Sequence, residues 1–228
     1  MSFGLSRGRE LEAAPVGVTD AELGPLPDEI VRDPLSARVD PRTWFEHSDR
    51  PFEIEIGSGK GTFLLHAAGV QPERNFLGIE WAREFWLYTS DRCRRAQVRN
   101  IRTLNTDASE FLHWRVPDGV VEVIHLYFPD PWPKSRHHRR RIVQDRFLED
   151  CHRVLSGAGE LRVVTDHEGY WAWMQEHFLR VRGRLFDAET LRRPEGVPEG
   201  ELVGTNFERK YRREGRPFHS VTLRKRAL

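Results

Sequence analysis

From Pro51 onward, apolar runs alternate with amphipathic stretches, and this alternation constrains the fold more than any other feature of the chain. Strands are expected at 52–56 (FEIEI), 75–80 (NFLGIE), 101–105 (IRTLN), 120–128 (VVEVIHLYF), 160–165 (ELRVVT) and 220–225 (SVTLRK). Helices are expected at 62–68 (TFLLHAA), over the spacing of Trp81, Phe85 and Tyr88, and along two apolar faces. One face is Val143, Phe147, Cys151 and Val154; the other is Tyr170, Met174, Phe178 and Val181. Parallel strands need crossovers, so the expected fold class is α/β. It would have a mostly parallel sheet, helices on both faces and an antiparallel C-terminal strand. Prolines 15, 25, 27, 34 and 41 interrupt residues 1–45, read as an irregular, partly mobile N-terminal extension with a short helix near Arg42–Glu46 at most. Residues 46–228 form the expected domain.

Sheets of this kind bind ligands beyond the carboxyl ends of their strands. Reading those ends in order gives Glu55 with GSGKG, then Glu80, Asp107, Asp130 and Asp166. Aspartate is common in turns, but an acid at every parallel strand end is a pattern. Gly57, Gly59 and Gly61 predict a tight turn, which fits an ordinary βα connection or a nucleotide site with Glu80 on a ribose hydroxyl. Charge discriminates between ligands. A pyrophosphate seeks the bare amides of a helix N-terminus and is repelled by a carboxylate just before the first glycine. S-adenosylmethionine has no phosphate and carries a sulfonium and an ammonium, both attracted to such acids.

The stretch HLYFPDPWPKSRHHRRR, residues 125–141, is the most unusual. Pro129, Pro131 and Pro133 fix φ and bias their neighbours away from helix, so the turn presents Asp130 in a pre-ordered way. Trp132 offers a flat surface to stack or pack. Lys134, Arg136, His137, His138, Arg139, Arg140 and Arg141 follow, placed to take the phosphates of a polyanion whose base enters at Asp130. The two histidines lack partners at ligand spacing, and no metal is expected.

The net charge is only +1, yet residues 132–141 hold five Lys/Arg and no acid, and residues 209–226 hold eight bases and one acid. That distribution indicates basic patches, not a polycation. Cys93 and Cys151 are the only cysteines, without CxxC spacing, and are expected as buried apolar groups. There is no run of the ~20 apolar residues a membrane span needs, and no secretory leader is apparent. A cytoplasmic setting is expected.

Together, EIGSGKG, GIE, FPDPWPKSRHHRRR, VVTD and TNFERKYRREG resemble the bacterial tRNA (guanine-N7-)-methyltransferase family, from about Phe52 to the C-terminus. The resemblance implies a class I, Rossmann-like S-adenosylmethionine-dependent methyltransferase. Its target would be the variable-loop guanine of tRNA, as a tRNA (guanine(46)-N7)-methyltransferase. It further implies that Glu55, Gly57, Gly59, Glu80, Asp107 and Asp130 line the cofactor site, with Asp130 also the catalytic acid. Lys134, Asp166, Thr205, Asn206, Phe207 and Glu208 would contact substrate, and Arg136–Arg141 would touch RNA. Asn206 stands where the family usually carries Lys or Arg. The sequence does not choose between monomer and homodimer.

Three other readings stay open. PDPW loosely resembles the turn of methyltransferases acting on exocyclic amines. A nicotinamide-dependent oxidoreductase shares the glycine turn, though Glu55 opposes it. A non-catalytic RNA-binding protein on the same fold is the third, opposed by the run of acids.

Overall fold

A computed structural model describes residue 5 and residues 8–227 of the chain. Contacts divide it into two units, Met1–Pro117 and Asp118–Leu228.

The first unit contains four parallel strands: β1 (Gly17–Val18), β2 (Phe52–Ile56), β3 (Asn75–Ile79) and β4 (Ile101–Leu104), in the order β1-β4-β3-β2. All five residues of β2 and of β3 are buried. Burial on both faces of a parallel sheet explains why these strands read as near-continuous apolar runs. Two carboxylates interrupt β2, Glu53 and Glu55, and the first is ion-paired with Arg74 at 3.0 Å. Helices α1 (Asp20–Leu23), α2 (Thr62–Val70), α3 (Arg83–Arg95) and α4 (Ala108–Trp114) complete the unit.

Two features differ from the sequence reading. Within 1–45 the chain forms β1, the four-residue helix α1 and two short 3-10 turns, Pro34–Ala37 and Pro41–Trp44. The strand escapes a pattern search because it is two residues long. It depends on Gly17, where a Cβ would stand 2.7 Å from Trp86 and 2.9 Å from Ala13. Trp81 is outside α3 and 73% exposed, while Trp86 supplies the buried aromatic.

The second unit contains β5 (Val121–Tyr127), β6 (Leu155–Thr165), β7 (Phe186–Glu189) and β8 (His219–Lys225), in the order β5-β6-β8-β7. β5 and β6 are parallel, and β8 runs antiparallel to both β6 and β7, so the C-terminal strand has the expected sense. Edge strand β7 went unforeseen because only Phe186 of its residues is buried. Helices α5 (Asp145–Val154), α6 (Glu168–Val181) and α7 (Asn206–Arg213) belong to this unit. Phe147, Cys151 and Val154 of α5, and Tyr170, Met174, Phe178 and Val181 of α6, are buried as their spacing predicts, while Val143, expected on the same face as the first three, is buried but precedes the helix. Both cysteines are buried and free. Among the described residues, no helix is long and apolar enough to cross a membrane.

Candidate functional site

In the first unit, the acids and glycines beyond β2 and β3 form one assembly. Gly57, Gly59 and Gly61 have φ of 78°, 53° and 65°, left-handed values at which a side chain is strained. The turn is stitched to β3 by Gly57 N and Ser58 N, both donating to the Ile79 carbonyl at 2.8 and 3.2 Å. Gly59 N donates to Glu80 Oε2 at 2.9 Å, and Thr89 Oγ1 donates to the Gly59 carbonyl at 2.7 Å. Glu80 Oε1 also accepts from Ala82 N at 2.9 Å. Asn105, which the sequence reading passed over, holds the end of β3 by donating to the carbonyls of Glu80 and Trp81 at 2.7 and 2.9 Å.

Glu55 is the anomaly of this assembly. It is 4% exposed, and its Oε2 has no hydrogen-bond partner; Ser58 Oγ, in the turn itself, is likewise buried and unpartnered. Burial, and after it the charge of Glu80, push the Glu55 carboxyl well above the usual carboxylate range. An enclosed, unsatisfied carboxylate is costly unless a ligand completes it. A cationic or hydrogen-bond-donating ligand fits Glu55; a phosphate does not. The residues present therefore fit S-adenosylmethionine and disfavour a dinucleotide. Asp107 is the N-cap of α4, accepting from Ser109 N and Glu110 N at 2.8 and 3.1 Å. Its carboxylate is exposed, with that oxygen already committed to the helix.

In the second unit, β5 ends at Tyr127, and Phe128 N makes the last ladder-like bond, to the Val164 carbonyl at 2.7 Å. Phe128 and Trp132 then take φ of 53° and 43°. Such values in bulky residues cost about 1–3 kcal/mol each and concentrate at functional sites. Between them Asp130 is exposed, in a depression it lines with Pro131, Trp132 and Pro133. Trp132 packs beneath the basic segment: Arg140 lies 4.9 Å from its ring centroid and His137 meets it edge-on.

Ser135–Arg140 is a 3-10 helix with no buried residue, preceded by exposed Lys134. Arg136, Arg139 and Arg140 are exposed, with His137 and His138 half-buried beside Trp132 and Trp173. Arg141 departs from the expectation that the whole run touches RNA: it is 3% exposed. Burial pulls its guanidinium below the usual arginine range.

The TNFE stretch is also used differently from the sequence reading. Thr205 is the N-cap of α7, its Oγ1 accepting from Glu208 N at 3.0 Å. Glu208 is fully buried and reaches back to three amides, Leu202 N at 2.5 Å, Val203 N at 2.9 Å and Gly204 N at 3.0 Å. Arg212 adds bonds of 3.0 and 2.7 Å. Burial alone would raise the Glu208 carboxyl; the amides and Arg212 outweigh it and hold it below the usual range. This is an extended capping box, and in this structure Glu208 offers no surface to a substrate. Asn206 and Phe207 are exposed on the first turn of α7.

Asp166, just past β6, is ion-paired with Arg216 at 2.7 Å. The same guanidinium lies 4.2 Å from the Tyr211 ring centroid, and Tyr211 packs edge-on against Phe128. Tyr211 falls inside TNFERKYRREG and Arg216 just beyond it, yet neither is assigned a role from the sequence, because their roles arise only when the chain after α7 folds back to β6.

Comparisons with known proteins bear on this geometry. A family model described as "Putative methyltransferase" matches residues 49–221. A tRNA (guanine-N(7)-)-methyltransferase of Alkalilimnicola ehrlichii is 37% identical over 77% of this chain and 73% of its own. One from Agrobacterium fabrum is 32% identical over 98% of this chain and 94% of its own. One from Streptococcus thermophilus is 31% identical over 86% and 90%. Among solved structures, the aminoglycoside resistance methyltransferase NpmB1 superposes with a TM-score of 0.54 at 15% identity, covering 89% of this chain and 95% of its own. An rRNA methylase from Streptococcus thermophilus gives 0.51 at 15%, covering 89% and 98%. These structural likenesses show the fold, the Rossmann-like one shared by these methyltransferases.

Proposed function

Because this chain belongs to the tRNA (guanine-N(7)-)-methyltransferase family, we propose that it transfers a methyl group from S-adenosylmethionine to N7 of a guanine in tRNA, guanine 46 of the variable loop. The observation that carries the reading is similarity over nearly the whole chain to relatives named for that reaction. The buried, unpartnered Glu55 and the strained turn presenting Asp130 support it.

Guanine N7 has an in-plane lone pair and no proton, so no general base is needed to expose the nucleophile. When bound, S-adenosylmethionine supplies a methyl carbon on a sulfonium: the N7 lone pair forms the new bond, and the old C–S pair stays with sulfur. Glu55 would face a cationic group of the cofactor, Glu80 its ribose hydroxyls, and the turn at Gly57 and Gly59 would lie against it. Asp130 has the stronger demand. The base gains positive charge as the bond forms, and a pre-positioned carboxylate stabilises that charge without reorganising. It also accepts from guanine N1–H and the exocyclic amine, orienting N7. Asp166 is a second acceptor for the base once Arg216 releases it. Lys134 and the exposed arginines Arg136, Arg139 and Arg140 would hold phosphates.

The test is incubation with labelled S-adenosylmethionine and an unmodified tRNA transcript, followed by chemical cleavage at N7-methylguanine. Cleavage at the single variable-loop guanine is expected. Label incorporated at an exocyclic amine, or no label, would overturn the assignment.

A further inference from the structure

Arg141 ends a run of cations that invites assignment to RNA as a whole, yet it is nearly inaccessible, at 3% exposure. Its Nε donates to the Pro131 carbonyl at 2.9 Å, on the residue directly after Asp130. The guanidinium lies 4.9 Å from the ring centroid of Tyr170 and 5.3 Å from that of Trp173, both on α6. The same two rings grip the chain beyond Arg141. Trp173 Nε1 donates to the Val143 carbonyl at 2.8 Å, and Val143 N donates to the Tyr170 hydroxyl at 3.3 Å. Gln144 Nε2 caps the carbonyls of Arg139 and Arg141 at 3.0 and 2.8 Å. The C-terminal end of the basic segment is thus tied both to the Asp130 turn and to α6.

We propose that Arg141 is a positioning residue for methyl transfer, fixing from behind the turn that presents Asp130, and not an RNA contact. The inference rests on the reading that Asp130 acts on the target base. The bond to the Pro131 carbonyl holds the peptide plane between Pro131 and Trp132, and the locked φ of Pro131 limits how far the backbone before it, at Asp130, can swing. Trp132 follows with φ of 43°, a conformation that persists only when its surroundings over-determine it. Arginine suits this task because a planar guanidinium donates in its plane while its face lies against aromatic rings. Lysine offers a point charge on a flexible stem and does neither.

The test is steady-state methylation of a tRNA transcript across a range of salt concentrations, with Arg141→Met, Arg141→Lys, Trp173→Leu and, for comparison, Arg139→Ala. Arg141→Met is expected to lower kcat by about 10²-fold, the cost of a misplaced reacting group. KM for tRNA and its salt dependence should hold, and so should the Kd for S-adenosylmethionine. Arg141→Lys should not restore kcat. Arg139→Ala should do the reverse, keeping kcat, raising KM and reducing the logarithmic salt slope by about 1. Trp173→Leu removes one ring and its indole bond without touching the exposed cations. It should lower kcat at unchanged salt slope, and it keeps the inference testable if Arg141→Met fails to fold. A reduced salt slope with retained kcat in Arg141→Met would return Arg141 to the RNA surface and overturn the proposal. Full activity of both Arg141→Met and Trp173→Leu would also overturn it. A wild-type protein unable to methylate tRNA would instead remove the function reading, and this inference with it.

Discussion

Glu55 is buried within reach of the charge on Glu80, and burial first, then that charge, hold its carboxyl well above the usual carboxylate range. The unfolded chain titrates near the ordinary value of 4.5. As pH rises past that value the unfolded state loses its proton while the folded state keeps it, so the cost of Glu55 to stability grows up to its folded pKa and persists in full above it. Glu55→Gln is therefore expected to raise Tm at pH 7, with the gain vanishing below 4.5. It should also weaken S-adenosylmethionine binding about 10- to 100-fold, equivalent to a charged hydrogen bond of about 1.5–3 kcal/mol. Thermal melts across pH and a binding titration check both; a variant less stable at pH 7 would contradict the account.

The same residue links cofactor binding to protons. A cationic ligand favours the charged form of Glu55, so its binding should release a proton wherever the free protein holds one. Affinity for S-adenosylmethionine is then expected to rise with pH up to the raised pKa of Glu55 and to level off above it. Calorimetry in buffers of different ionisation enthalpy measures the proton release directly. Glu55→Gln should show none.

Glu208 has the opposite sign. Its folded carboxyl is held below the ordinary 4.5 by the loop amides and Arg212, against the effect of burial. The stability it contributes is present above 4.5 and is lost as pH falls through its lower folded value. Glu208→Ala leaves buried amides without an acceptor and is expected to cost about 3–5 kcal/mol. The Tm gap to wild type should narrow in acid, and limited proteolysis should find cleavage near Leu202–Gly204. An unchanged melt would contradict the capping role.

The contrast between Glu208 and Asp130 marks how far the sequence carries. The parallel strands from Phe52 to Thr165, the glycine turn and the prolines around Asp130 were legible because each imposes a local rule: period, φ > 0, or fixed φ. The strand at Gly17–Val18 was not, since it is defined by its partner in β4 and by the space beside Trp86. Side-chain type located the acids and bases but not their use. Glu208 and Arg141 look like surface charge in the sequence and prove to be buried fastenings, because the amides and aromatic rings that enclose them are set by tertiary contact.

Residues that remain exposed in the basic segment should behave as phosphate contacts. Lys134→Ala and Arg136→Ala are each expected to weaken tRNA binding uniformly across sequences and to reduce the logarithmic salt slope by about 1. Filter binding at several salt concentrations measures this, and slopes identical to wild type would exclude the segment as an RNA platform.

The most direct test of the central claim is the single-turnover rate of methyl transfer by Asp130→Asn, with saturating S-adenosylmethionine and unmodified tRNA transcript. The substitution keeps the shape and removes the charge. The account predicts retained cofactor binding and a rate at guanine N7 reduced by about 10²-fold or more, as expected for loss of pre-organised electrostatic stabilisation. A rate equal to wild type would show that the Asp130 carboxylate takes no part in the reaction.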